Sequence, residues 1–378
     1  MNILILNWRD VTHPKSGGAE VVTMQHAKAW SHMGNTVTWL TAGYSGAKNE
    51  EVFQNIRFIR RFGSLTIYLY VPFFLLFKSK KFDVIIDEVH GFPFFSPLFT
   101  RKPVVVFIHE IAGEIWDYMF PFPKNIIGKL LEQWYFQLYK HCFFWTDAPS
   151  TVKELEERGI PKKQCVAIPC PITVDEKIFV LHSSFLDGNQ EPGTKNKKPT
   201  YLFVSRVVRM KGIEEVIKAF SFIARAQKDA MLWIIGGGEG SYVEELRQMV
   251  DEYGIKNSVL FLGNVSEKEK YDRMAHAHVL LHASVKEGWG LVVLEAAMVG
   301  TPSVVYNVPG LKDVVIHNKT GIVIENNSPQ EMARAAVMLI NDPKRYSRYQ
   351  KNGMERVKKI NWNDVTLQSF NLLIKAMK

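Results

Sequence analysis

Long apolar runs are missing from this 378-residue chain. The richest stretch, LTIYLYVPFFLLFKSKK at residues 65–81, opens with thirteen largely apolar residues, short of the roughly 20 that a spanning helix needs. Cysteine is scarce: Cys142, Cys165 and Cys170 form no even framework and no Cys-x-x-Cys pair, which fits a reducing, cytosolic setting. The start, MNILILNWRD, lacks the basic flank and roughly 7–15-residue apolar core of a signal peptide. The expectation is a cytoplasmic protein, with a peripheral place on the cytoplasmic face of a membrane left open. No Asp-x-Asp pair occurs, which removes a usual way of holding Mg²⁺ on a diphosphate. No block of basic residues and no nucleic-acid signature accompanies the net charge of +9, so nucleic acid is not an expected partner. That mild excess suits phosphate ligands or an anionic membrane surface.

What is present is alternation. With 47% hydrophobic and 22% charged residues the composition is globular, and the length favours two domains. Buried strands are expected at Ile3–Leu6, Thr36–Thr41, Val84–Ile86 and Val104–Ile108, with a helix at Ala19–Met33 ended by Gly34. The polar stretch DGNQEPGTKNKKP marks a linker at 186–199. Beyond it the alternation resumes: strands Tyr201–Ser205, Met231–Ile235, Val259–Phe261, His278–His282, Pro302–Tyr306 and Gly321–Ile324, with helices Ile213–Ala226 and Tyr242–Tyr253. Two parallel-sheet α/β domains follow, 1–185 and 200–360. Such sheets bind ligands beyond the carboxyl ends of their strands, so two of them can face a cleft and functional residues belong in the loops there.

Several of those loops carry chemistry. NWRDVTHPKSGGAE ends in Gly17-Gly18 and opens a helix, where backbone N–H groups can approach a phosphate; an ordinary glycine turn fits equally. SRVVRMKG offers Arg206 and Lys211 at a strand-to-helix junction, a clamp for a diphosphate or two solvated cations. WIIGGGEGS reads Gly236-x-Gly238-x-x-Ser241; it lacks the third glycine of a dinucleotide fingerprint, so a turn shaping a nucleotide pocket is the better reading. His276, His278 and His282 would share one face if all lay on a strand, yet no carboxylate or cysteine is interleaved and packed or rim histidines are expected over a metal. His109 ends the strand VVVFIHE, where it can bond a sugar, carry a proton or cap the strand. In KEGWGLVVLEAA, Glu287 precedes a helix whose N-terminus can hold an anion or a hydroxyl. Glu295 is an acidic island within that apolar helix, so a ligand is its expected partner.

Taken together, the SGGAE loop, Arg206-x4-Lys211, Glu287-x7-Glu295 and PSVVYNVPGLKDVVIHNKTGIVI resemble the retaining glycosyltransferases of family 4, over nearly the whole chain. The resemblance implies the GT-B fold: two Rossmann-like domains facing a cleft, with a C-terminal helix at 361–378 returning to the first domain. It implies that Arg206 and Lys211 clamp the donor diphosphate and that Glu295 holds the ribose. Glu287, with Gly288, Trp289, Gly290 and Leu291, would hold the transferred sugar. Gly17 and Gly18 would line the phosphate and acceptor side, His109 would approach the sugar at the reacting centre, and Gly263, Asn264 and Val265 would contact the base. No metal and no cofactor are expected, the nucleotide-diphosphate sugar being a substrate. The expected reaction moves a hexose, from a UDP-sugar first and GDP-mannose second, to a glycan or lipid-linked acceptor. Two departures stand out: Trp289 replaces the commoner Phe, and IPCPIT, with Cys170-Pro171, stands where relatives often have Ile-Pro-x-Gly. A non-catalytic nucleotide-sugar or membrane-binding module and an NAD-dependent oxidoreductase are the alternatives. Residues 65–81 and 121–140, both aromatic-rich with lysines, suit either a membrane interface or packing on the first sheet.

Overall fold

The computed structural model describes residues 1–174 and 198–378. Residues 175–185 and most of the expected linker, 186–197, lie outside the described residues. The chain forms two compact units, Met1–Cys170 with Asn361–Lys378, and Pro171–Ile360.

The first unit is built on an eight-stranded sheet. Its strands are β1 (Asn2–Leu6), β2 (Thr36–Thr41), β3 (Glu50–Phe53), β4 (Ile56–Arg60), β5 (Val84–Val89), β6 (Val104–Ile108), β7 (Phe143–Thr146) and β8 (Cys165–Ala167). They lie in the order β3-β4-β2-β1-β5-β6-β7-β8. All pairings are parallel except β3 with β4, a hairpin turning through Gln54 and Asn55, both at positive φ, as a tight hairpin turn requires. Strands covered on both faces read as continuous apolar runs, and NILIL, VVVFI and VIIDEV are buried almost throughout. The helix Gly18–His32 packs beside the C-terminal helix Trp362–Ala376. Ser369 Oγ joins them, 2.9 Å from His26 Nδ1 and 3.2 Å from Trp30 Nε1.

The second unit holds a wholly parallel six-stranded sheet. Its strands are β9 (Thr200–Val204), β10 (Met231–Ile235), β11 (Val259–Gly263), β12 (Val279–His282), β13 (Ser303–Val305) and β14 (Gly321–Val323). They are ordered β11-β10-β9-β12-β13-β14, the doubly wound arrangement. Connections run to opposite sides on leaving β9 and β12, so the loops after these neighbours diverge and leave room for a ligand. In the first unit the same switch falls between β1 and β5.

His276, His278 and His282 do not share a strand face. His276 ends the helix Glu267–His276 and bonds the Asp272 carbonyl at 2.6 Å. His278 precedes β12 and accepts the Thr200 N–H at 3.0 Å, and His282 alone reaches the site described next. The helix stops at His276 and the strand starts at Val279, which breaks the assumed alternation.

Candidate functional site

At the switch point of the second unit two loops are stitched together. The loop after β9 makes a short 3₁₀ turn, Arg209–Lys211, ended by Gly212 at φ 68°. A Cβ on Gly212 would stand 2.0 Å from the Ala283 carbonyl oxygen, so only glycine lets this loop lie against the one after β12. The Val285 N–H donates to the Met210 carbonyl at 3.0 Å and closes the seam. Lys211 Nζ thereby reaches Glu287 Oε1 at 2.8 Å. The same oxygen receives Ser284 Oγ at 2.7 Å and faces His282 Nε2 at 2.9 Å. Burial works to raise the Glu287 pKa, but the Lys211 charge and then His282 outweigh it, and the carboxyl is held well below the usual range. Arg206 lies in the same loop, exposed, and its guanidinium makes no hydrogen bond or ion pair among the described residues.

Behind Glu287, a Cβ on Gly310 would sit 2.2 Å from the Glu287 carbonyl oxygen. Gly288 and the buried Trp289 lead to Gly290 at φ 87°, which caps the helix Leu291–Met298. Glu295 on that helix is not the isolated acid the apolar sequence suggested. Lys270 Nζ, from a neighbouring helix, sits 3.0 Å from its Oε1, a protein partner that apolar periodicity could not reveal. The glycine run after β10 serves backbone packing. A Cβ on Gly236 would be 1.8 Å from the Ser205 carbonyl oxygen, and one on Gly237 would be 2.7 Å from Asn264 Nδ2. The Val207 N–H bonds the Gly237 carbonyl at 2.8 Å. Gly263 and Asn264 are exposed at the end of β11, with Val265 half-buried beside them.

In the first unit, Gly17 and Gly18 begin the helix Gly18–His32, but the Gly17 N–H is engaged by Glu20 Oε2 at 2.6 Å. Glu20 is fully buried and paired with Arg9 at 2.9 Å. His109 follows β6 and is gripped on both nitrogens: Nδ1 is 2.5 Å from Asp147 Oδ2 and Nε2 is 3.4 Å from Glu88 Oε1. Burial lowers its pKa, yet the charge and hydrogen bond of Asp147, then those of Glu88, prevail and hold it at about 10. His109 is therefore an imidazolium near neutral pH, a fixed positive charge and not a free base. Glu88, pushed up by burial, is brought down to about 2 by its bonds to His109 and His90. His90 Nε2 shares Glu88 Oε1 at 3.0 Å, and Thr23 Oγ1 donates to Oε2 at 3.0 Å. His26 is fully buried and pressed down to about 3 by burial and the nearby His109 charge, so it stays neutral. The ligand atoms of Glu88, His90 and His109 all lie within 4.8 Å of one another, and they form the one such trio of possible metal ligands among the described residues.

Sequence reasoning did not single out Glu88, His90, Asp147 or Ser284, and it read His282 as a packed or rim histidine. One signal was available: VIIDEVH ends a buried strand in two acids, which a core does not otherwise tolerate. Asp87 proves structural, accepting bonds from Ser96 Oγ and Tyr139 Oη, each at 2.6 Å.

The chain matches two family models, Glycosyltransferase Family 4 over residues 16–176 and Glycosyl transferases group 1 over residues 187–356. Among curated relatives, a GDP-mannose-dependent alpha-(1-6)-phosphatidylinositol monomannoside mannosyltransferase of Mycobacterium tuberculosis is 34% identical over 153 residues, which is 39% of each chain. The match therefore spans well under half of that relative's length. N-acetyl-alpha-D-glucosaminyl L-malate synthase of Bacillus anthracis is 25% identical over 348 residues, 87% of this chain and 86% of the relative. Of solved structures, sucrose-phosphate synthase of Thermosynechococcus elongatus superposes with a TM-score of 0.76 at 22% identity, over 99% of this chain and 98% of the other; it shares the fold.

Proposed function

Because the chain belongs to the family-4, group 1 glycosyltransferases and has their GT-B fold, we propose that it moves a hexose from a nucleotide-diphosphate sugar to a hydroxyl of a glycan or lipid-linked acceptor. Transfer proceeds with retention and without a metal. The observation that carries this reading is the stitched pair of loops at the β9–β12 switch point, where Lys211 meets Glu287 at 2.8 Å and the exposed Arg206 lies in the same loop as Lys211. Breaking the sugar–phosphate bond leaves negative charge on the diphosphate. Arg206, unpaired among the described residues, and Lys211, held by Glu287, would stabilise that charge. Glu287 has one oxygen occupied by Lys211, His282 and Ser284; its other oxygen accepts sugar hydroxyls. Glu295 takes the ribose hydroxyls and shares them with Lys270, and Gly263, Asn264 and Val265 meet the base. On the acceptor side His109 contributes positive charge and a hydrogen bond, since its two carboxylate neighbours keep it protonated. The relative acting on a phosphatidylinositol mannoside favours a lipid-linked acceptor. A cytoplasmic protein resting on an anionic membrane face suits such a substrate, although no described helix is long and apolar enough to cross a membrane.

The test is a thermal-shift panel in EDTA with UDP, GDP, ADP and NAD⁺. A ligand at one hundred times its Kd adds about 2.7 kcal/mol. UDP or GDP is expected to stabilise the wild type, with the response lost in Arg206→Ala. A response to NAD⁺ alone would overturn the reading in favour of an oxidoreductase. Silence toward every nucleotide would favour a module that binds something else.

A further inference from the structure

The geometry points to a zinc site in the first unit, formed by Glu88, His90 and His109 with Asp147 behind His109. Two imidazoles and one carboxylate are a donor set zinc takes readily, with a position left for water. The two spacings from Glu88 Oε1 are near what the ion needs. Two ligands of a tetrahedral zinc, each bonded at 2.0–2.1 Å, stand roughly 3.3–3.4 Å apart. Glu88 Oε1 lies 3.0 Å from His90 Nε2 and 3.4 Å from His109 Nε2.

The surroundings point the same way. Metal-bound histidines usually give their other ring N–H to a carboxylate, which fixes the ring and strengthens the ligand. Asp147 Oδ2 does this to His109 Nδ1 at 2.5 Å. Thr23 Oγ1 occupies Glu88 Oε2 at 3.0 Å, so Oε1, which faces both rings, is the ligand atom. The three groups come from rigid places: Glu88 lies within β5, His90 one residue beyond it and His109 one beyond β6, and these strands are neighbours in the sheet. Entry is open, because the His90 and His109 side chains keep 15% and 11% of their surface exposed while Glu88 has none. Without metal, N–H groups on the rings bond Glu88 Oε1; with zinc, those hydrogens leave to solvent and the lone pairs bind the ion. On the proposed function zinc would inhibit transfer, since it takes His109 Nε2. That consequence rests on the reading above, whereas metal binding does not.

The test uses the full chain freed of metal by EDTA, with Zn²⁺ titrated against a chromophoric chelator and no sugar donor present. One tight zinc per chain is expected. His90→Ala should weaken it at least about 100-fold, and Asp147→Asn about 10–100-fold, the usual effect of losing an outer-shell partner. His276→Ala, an exposed histidine of the other unit, should change nothing. Circular dichroism checks that each variant is folded, and Co²⁺ in place of zinc should give the intense visible bands of a tetrahedral site. Zinc bound equally by wild type and His90→Ala, or octahedral Co²⁺ spectra, would overturn the site. A failed nucleotide panel with zinc still bound would fault only the transfer reading.

Discussion

Glu287 carries its charge among a lysine, a histidine and a serine, and that choice has a pH signature. Its pKa in the folded chain is held below the ordinary value of 4.5. A depressed carboxylate adds stability above its unfolded pKa and loses it as pH falls below that value. Glu287→Gln keeps the size and one acceptor but leaves Lys211 without its counter-charge, at a cost of about 3 kcal/mol at pH 7. Urea denaturation at pH 7, 5 and 3.5 should show the gap between wild type and variant holding from pH 7 to pH 5 and narrowing below about 4.5. A gap independent of pH would mean that the ion pair is not what the substitution removes. At this scale the sequence was partly legible. Arg206, Lys211 and Glu287 fall at strand ends, where ligands bind, and their types announce charge. His282, Ser284 and Asp147 were not, since their roles depend on which strands become neighbours and how two loops touch. The Lys270 partner of Glu295 stayed hidden for the same reason: it comes from a helix that a reading along the chain keeps apart.

Elements were read best where both faces of a strand are buried. Ile3–Leu6 was expected and Asn2–Leu6 is found, as are the strands at Thr36–Thr41 and Met231–Ile235. The hairpin β3–β4 was missed because exposed β3 has no apolar run and its turn uses Gln54-Asn55, without glycine. The helix Ile67–Lys78 packs on the first unit by one side only. Ile67, Val71 and Leu75 are buried in the core, while Leu69, Phe73, Leu76 and Phe77 on the opposite side are 57–75% exposed. Lys78, Lys80 and Lys81 follow, also exposed. The helix Lys124–Tyr135 likewise exposes Ile127, Leu130 and Trp134. Apolar side chains rimmed by lysines suit an anionic lipid surface. Burying one phenylalanine is worth about 1.5–3 kcal/mol, so Phe73→Ser with Phe77→Ser should lower partition onto phosphatidylserine vesicles at least about 100-fold. Both side chains are exposed, so unfolding should move little. Sedimentation with the vesicles reads the effect, and unchanged partition would remove this helix as the contact.

Over the whole chain, order in sequence and membership in a folding unit part company at the last helix. Trp362–Ala376 follows the second unit directly, yet its contacts are with the helix Gly18–His32 and strands β6 and β7. Val365, Leu372 and Leu373 are buried there, and Ser369 bonds two buried side chains of the other helix. A terminal helix docked in this way fastens the first unit while its covalent link runs from the second. Leu373→Ala opens a cavity beneath it and should cost about 2–5 kcal/mol. If the units are separate cooperative bodies, that loss belongs to one of them. Hydrogen exchange should then show faster opening of the slowest amides in β1, β6 and β7, with those of β9 and β12 unchanged. Equal acceleration in both sheets would mean that the two units unfold as one body. Protection lost only within the last helix would mean that it frays from a first unit stable without it.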